Sequence, residues 1–196
     1  VTRFDCPEYV RAWQDTGKFP PIHDGIFALL KAKIPVAEDG TTVLDLGSST
    51  GLLSRRMADA GYTVYAIEGS VATSNVGREA GIYDGIEIMR SRLKTEDLRD
   101  LREWMHRQEI NVVMARRVFP ELDDYGIAPQ FLARVFAEAG VKHILVEGRL
   151  QRPYATHRLK SLSDEITALG DLWTVESYDG PHRAHLVRSD KGIADA

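Results

Sequence analysis

The stretch VLDLGSSTGLLS, residues 43–54, joins an apolar β-branched run to a glycine-bearing turn and then to a helical pattern. In an open α/β sheet, ligands bind just beyond the carboxyl ends of the strands. Gly47 lets the chain turn sharply and lets its backbone approach a ligand closely, and Ser48, Ser49 and Thr50 add hydroxyl and N–H groups. Glu68 closes the next apolar run, roughly 20 residues further on, where a carboxylate can accept hydrogen bonds from two ribose hydroxyls. A dinucleotide fingerprint would need glycines at 47, 49 and 52, and Ser49 and Leu52 fail it. A phosphate-binding P-loop would need a Gly-Lys-Ser/Thr ending, which is absent. A glycine turn can serve packing alone and Glu68 can be a solvated strand end; together they favour a nucleotide.

Arginines recur at a second set of positions. Arg90 and Arg92 follow the run IEIM, Arg116 and Arg117 follow NVVMA, and Arg149 and Arg152 follow HILVE, with His157 and Arg158 nearby. If these runs are parallel strands, all of these residues project to the edge that carries the glycine turn. A guanidinium is a planar fork that grips carboxylate or phosphate, so an anionic acceptor is one reading. Solvated arginines paired with Glu121, Asp123 or Asp124 are the equal alternative. His157 is the general-base candidate by position alone. His23, His106, His143, His182 and His185 show no metal-ligand spacing, and no metal is expected.

The elements that must position these groups alternate. Strand candidates are residues 42–46, 63–68, 86–89, 111–115 and 143–147. Between them lie helical patterns marked by Leu52, Leu53 and Met57, by Val71 to Ala80, by Leu98, Leu101, Trp104 and Met105, and by Phe131, Leu132, Val135, Phe136 and Ala139. ARRVFPELDD, residues 115–124, reads as a loop. This alternation argues a parallel sheet with helices on both faces. A helix around Leu159 to Leu169 is followed by strands at 173–178 and 184–188 about the turn DGP, an antiparallel pair. Residues 1–40 read as a helical extension or lid, with helices from Pro7 to Gly17 and from Gly25 to Ile34. Residues 41–189 form the main domain and 190–196 a tail, with no domain boundary after about residue 40.

The chain has 196 residues, 43% hydrophobic and 28% charged, which suits one globular domain. Its single cysteine, Cys6, forms no intrachain disulfide and no cysteine-rich zinc site, so a cytoplasmic setting is expected. No apolar run approaches the ~20 residues that span a bilayer. A net charge of −4 argues against a wholly basic nucleic-acid-binding domain and leaves a local basic patch open.

On these residues the chain resembles the class I S-adenosylmethionine-dependent methyltransferases over about residues 41–189. Asp45, Gly47 and Gly51 match the family's acid-x-Gly-x-Gly-x-Gly motif, with Ser49 in place of the middle glycine, and Glu68 matches its ribose-binding acid. The resemblance implies a Rossmann-like, doubly wound α/β fold of seven mostly parallel strands with an antiparallel C-terminal hairpin. It implies S-adenosylmethionine as cofactor, against Asp45, Gly47, Ser48, Ser49, Gly51 and Glu68. Gly69, Arg92, Leu93 and Arg116 complete that expected set. Adenine falls to backbone groups at Arg92 and Leu93, or to Glu96 or Asp97.

The expected reaction moves a methyl group to an O or N of an unidentified acceptor, a small molecule or a nucleotide-like one, gripped by Arg117, Arg149 and Arg152. Family motifs for amino-nitrogen or cysteine-mediated methylation are absent from residues 115–124, and Cys6 lies far away in the sequence. Two alternatives are a non-catalytic methyltransferase-like binding module and an aminopropyl-type transferase on the same fold.

Overall fold

The computed structural model describes residues 7–38, 40–148 and 157–189. It has two compact units, Val1–Arg92 and Leu93–Ala196. The described residues of the expected extension, 7–38 and 40, therefore belong to the first unit, and those of the expected domain 41–189 to both.

The first unit holds α1 (Pro7–Thr16), a 3-10 turn (Pro21–His23), α2 (Asp24–Lys33), β1 (Thr42–Leu46), α3 (Leu52–Asp59), β2 (Thr63–Ile67), α4 (Val71–Glu79) and β3 (Glu87–Met89). Its strands lie in the order β3-β2-β1, all parallel, with Thr42 opposite Thr63 and Leu46 opposite Ile67. Val43 to Leu46 are buried without alternation, as in a strand covered on both faces. Pro7 opens α1, where its missing N–H costs nothing, and Gly17 closes it at φ 65°. Val10 of α1 packs with Leu52 of α3 and Ile82, and Tyr9, Trp13, Phe19, Val76 and Ala80 border that cluster. The guanidinium of Arg56 lies over the rings of Phe19 and Phe27, so the segment around Phe19 is stacked on α3.

The second unit holds a 3-10 turn (Thr95–Asp97), α5 (Leu98–Arg107), β4 (Val112–Arg116), α6 (Phe119–Asp124), α7 (Pro129–Ala139), β5 (His143–Glu147), α8 (Leu162–Leu169), β6 (Trp173–Asp179) and β7 (Arg183–Arg188). Its order is β4-β5-β7-β6, with β4 and β5 parallel and β7 antiparallel to both neighbours. Ser161 caps α8: its hydroxyl accepts from Asp164 N–H, and the Asp164 carboxylate accepts from Ser161 N–H. Pro129 opens α7 and Gly140, at φ 97°, ends it.

Three expectations are corrected. The helix expected from Leu159 begins at Leu162, where the Ser161 cap starts it. Residues 119–124, expected as loop, form α6: Pro120 sits in the first turn, where it lacks no needed N–H, and Phe119 and Leu122 are buried beneath it. Phe131, expected in the apolar stripe of α7, is 49% exposed. The buried stripe runs through Leu132, Val135, Phe136 and Ala139, the i, i+3, i+4, i+7 face, which leaves Phe131 on its margin. Among the described residues no helix is long and apolar enough to cross a membrane.

Candidate functional site

Beyond β1 the backbone takes the left-handed conformation at every second residue: Gly47 at φ 76°, Ser49 at 56° and Gly51 at 83°. These are the three positions of the glycine motif, so Ser49 adopts the geometry that the missing glycine would take without strain. The loop is held on several sides. The N–H groups of Gly47 and Ser48 donate to the Ile67 carbonyl at 2.9 and 3.0 Å, and Gly51 N–H donates to the Ser48 carbonyl at 2.9 Å. Asp45, 2% exposed, accepts from the Ser54 hydroxyl, which ties α3 back to β1 beneath the loop.

Glu68 stands one residue past β2. Its Oε2 accepts from Ser49 N–H at 2.7 Å and its Oε1 from Ser70 N–H at 2.6 Å. The structure thus brings the motif's central residue and the carboxylate together. Two backbone donors also fix the carboxylate's orientation. Next to it, a Cβ on Gly69 would lie 3.5 Å from Arg92 Cα, so the Arg92 backbone runs alongside Gly69. Leu93 is buried in the second unit. Asp97 accepts from Lys94 N–H at 2.9 Å and Glu96 pairs with Lys94 at 3.5 Å, so both acids serve their own turn.

A residue that the motif does not announce lies under the loop. Tyr83, buried, has its hydroxyl 2.9 Å from Ser48 Oγ and donates to the Ser49 carbonyl at 2.8 Å. Burial, with the carboxylates of Asp45 and Glu68 adding to it, pushes the phenol far above its ordinary range, so it stays neutral. A Cβ on Gly51 would meet the Tyr83 ring at 2.5 Å; one on Gly77 would meet it at 2.7 Å and the Thr50 carbonyl oxygen at 2.1 Å. Gly77 is the hint in the sequence, since a glycine inside a helical run costs helix stability and so points to a packing reason.

In the second unit the arginines gather around one acid. Arg116, Glu147 and Arg183 are directly opposite one another across β4, β5 and β7. Glu147 is 4% exposed. Its carboxylate lies 2.8 Å from Arg116 Nε, 3.7 Å from Arg117 Nε and 3.6 Å from Arg183 Nη1. Arg183 also donates to Asp179 at 2.7 Å. Arg117 sits at φ 59°, with its N–H on the Glu147 carbonyl. Arg90, in the first unit, is spent on α4, donating to Ser74 and Asn75. Arg183 joins this set through the register of β5 against β7, which no local sequence pattern reports.

His157 Nδ1 lies 2.5 Å from Asp124 Oδ2, and Arg158 forms a two-pronged pair with Asp123. In the neutral imidazole that contact leaves Nε2 as the basic nitrogen. Arg149, Arg152 and Cys6, and the tail 190–196, lie outside the described residues. Among the described residues no three His, Cys, Asp or Glu side chains form a metal site.

No family model and no curated protein matches the chain. Solved structures do. A Pyrococcus horikoshii OT3 protein, PH0226, aligns at TM-score 0.62 and 13% identity over 95% of this chain and 97% of its own. Magnesium protoporphyrin IX methyltransferase (ChlM) from Synechocystis PCC 6803, solved with bound S-adenosylhomocysteine (SAH), aligns at 0.56 and 14% over 93% of this chain and 86% of its own. Monomeric WbdD aligns at 0.59 and 16% over 95% of this chain and 45% of its own, so the chain spans less than half of WbdD; WbdD is also described as a bifunctional kinase-methyltransferase. Seven strands alternating with helices and ending in the β6–β7 hairpin, matched along nearly the whole chain by these structures, give it the Rossmann-like fold of the class I S-adenosylmethionine-dependent methyltransferases.

Proposed function

We propose that the chain binds S-adenosylmethionine at the loop Gly47–Gly51 with Glu68, and moves its methyl group to an O or N of an acceptor. The observation that carries this reading is the contact between Glu68 and the N–H of Ser49, which sets the ribose-binding carboxylate against the motif loop. The residues fit a nucleoside: the loop backbone bends into three left-handed positions and the carboxylate is held by two N–H groups. Glu68 would take the ribose hydroxyls, the loop backbone would take the amino-acid portion, and the Arg92 backbone beside Gly69 would border the base.

When bound, S-adenosylmethionine supplies a methyl group already activated by the sulfonium. The chain's task is then chiefly to hold two reactants in line and exclude water. An acceptor that must lose a proton needs a base; His157, whose Nδ1 lies against Asp124, is our candidate for that work. An anionic acceptor is one reading of the arginines of the second unit, where Arg117 and Arg183 are about a quarter exposed and already paired with Glu147, and Arg183 with Asp179 as well.

Titration calorimetry with SAH tests the reading. The unmodified protein should bind, and Glu68→Ala should weaken binding at least 10-fold, since it removes charge-assisted bonds of about 1.5–3 kcal/mol. No heat from the unmodified protein at millimolar SAH would end the proposal. Binding with no methyl transfer from labelled donor to a broad acceptor panel would favour a binding module.

A further inference from the structure

We infer that Tyr83 is a positioning residue for the nucleoside loop, acting through Ser48 and Ser49; the inference rests on the reading of that loop as the binding site. The direction of its hydrogen bonds follows from elementary chemistry. The Ser49 carbonyl can only accept, so the Tyr83 hydroxyl donates to it, and the Ser48 hydroxyl then donates to Tyr83 Oη. One phenol thereby fixes the side chain of one loop residue and the peptide plane of the next.

That next residue is the strained one. Ser49 holds φ 56° in a conformation that costs a residue with a Cβ of order 1 kcal/mol or more. It stays there because both sides of its backbone are tied. Its N–H donates to Glu68 and its carbonyl accepts from Tyr83. The N–H bond is also the contact that orients the proposed ribose carboxylate. Losing the Tyr83 bond frees the Ser49 peptide to relax toward an unstrained φ, and with it the N–H that steadies Glu68.

The surroundings are shaped to admit this ring. Gly51 and Gly77 touch it from two elements, and a methyl group at either position would overlap it. The turn that carries Tyr83 is itself fixed: Ile82 N–H donates to the Gly77 carbonyl at 2.9 Å, Ile86 N–H to the Tyr83 carbonyl at 2.9 Å, and Arg55 to the Asp84 carbonyl at 2.8 Å. The side chain of Ile82 belongs to the cluster under α1. A rigid platform thus holds a hydroxyl against the loop.

The test uses the full chain and SAH as the probe. Tyr83→Phe keeps the ring and deletes both hydrogen bonds. Its Kd for SAH at 25 °C should rise about 10-fold, and hydrogen exchange at the amides of residues 48–51 should quicken. The double variant Tyr83→Phe/Ser49→Gly should recover most of the lost affinity, because glycine takes the left-handed conformation without being held there. A merely structural tyrosine would lower the melting temperature, leave the Kd of the folded protein unchanged, and show no rescue by glycine. A Kd for Tyr83→Phe within twofold of the parent, or a double variant no tighter than the single, overturns the inference while the binding-site reading stands. Should Tyr83→Phe fail to fold, the double variant decides: affinity near the parent's supports the role, and affinity reduced 10-fold or more rejects it. A parent protein that does not bind SAH removes both proposals together.

Discussion

A single glycine shows how a contact reverses what local propensity would say. Gly77 lies inside α4, where replacing glycine by alanine at an exposed site adds about 1 kcal/mol of helix stability. Here the added methyl group would sit 2.1 Å from the Thr50 carbonyl oxygen and 2.7 Å from the Tyr83 ring. Backbone on one side and a pinned ring on the other leave little room to yield. Gly77→Ala should therefore destabilise the protein by about 1–3 kcal/mol, the usual cost of overpacking, read as a lower midpoint in urea unfolding. A gain in stability would show that α4 can back away from the loop. Asp45 belongs to the same scale: the motif acid is buried and held by Ser54, so its visible work is to tie α3 to β1 under the loop.

Among elements, the locally coded ones are legible in the sequence. β1 and β5 fall where β-branched runs place them, and α1 runs from Pro7 to the residue before Gly17. α6 is not legible there because six residues carry too little periodicity to separate a helix from a loop. Tyr83 is illegible for a different reason: its partners, Ser48 and Ser49, lie more than 30 residues away, and no local pattern reports a contact of that range. The same holds for Arg183, whose partner Glu147 is set by the register of β5 against β7.

Register also builds a polar chain across the sheet of the second unit. His143 of β5 and His185 of β7 lie with Nδ1 and Nε2 3.0 Å apart, and His185 Nδ1 is 2.6 Å from Glu176 on β6, at an irregularity in that strand's pairing. One ring nitrogen of His143 and one of His185 share a hydrogen bond, and the Glu176 carboxylate lies against the other nitrogen of His185. Burial lowers the pKa of His143, so the unfolded chain binds that proton at a higher pH than the folded one. Stability from this group is then present above about pH 6.5 and is lost as pH falls from there toward the folded value. Urea unfolding between pH 7 and pH 5 should show stability falling with pH, and His143→Gln, whose amide can still donate, should show a smaller fall. An equal slope in the variant would place the titration elsewhere.

For the molecule as a whole, the loop, Glu68, Gly69 and Arg92 all belong to Val1–Arg92, whereas Leu93, Arg116 and the arginine cluster belong to Leu93–Ala196. A ligand that binds only the folded chain stabilises it by mass action, by about 2.7 kcal/mol at 100 times its Kd. For a chain of 196 residues, each kcal/mol moves the melting temperature by about 2–4 °C. SAH at that concentration should thus raise it by about 5–10 °C, and Glu68→Ala at the same SAH concentration should lose most of the rise. Hydrogen exchange locates the effect: protection should grow most at the amides of residues 47–51 and 68–70, whose N–H groups form the loop and brace the carboxylate. A thermal shift with protection confined to residues 93–189 would instead place the nucleoside against the second unit and reject the loop as its binding site.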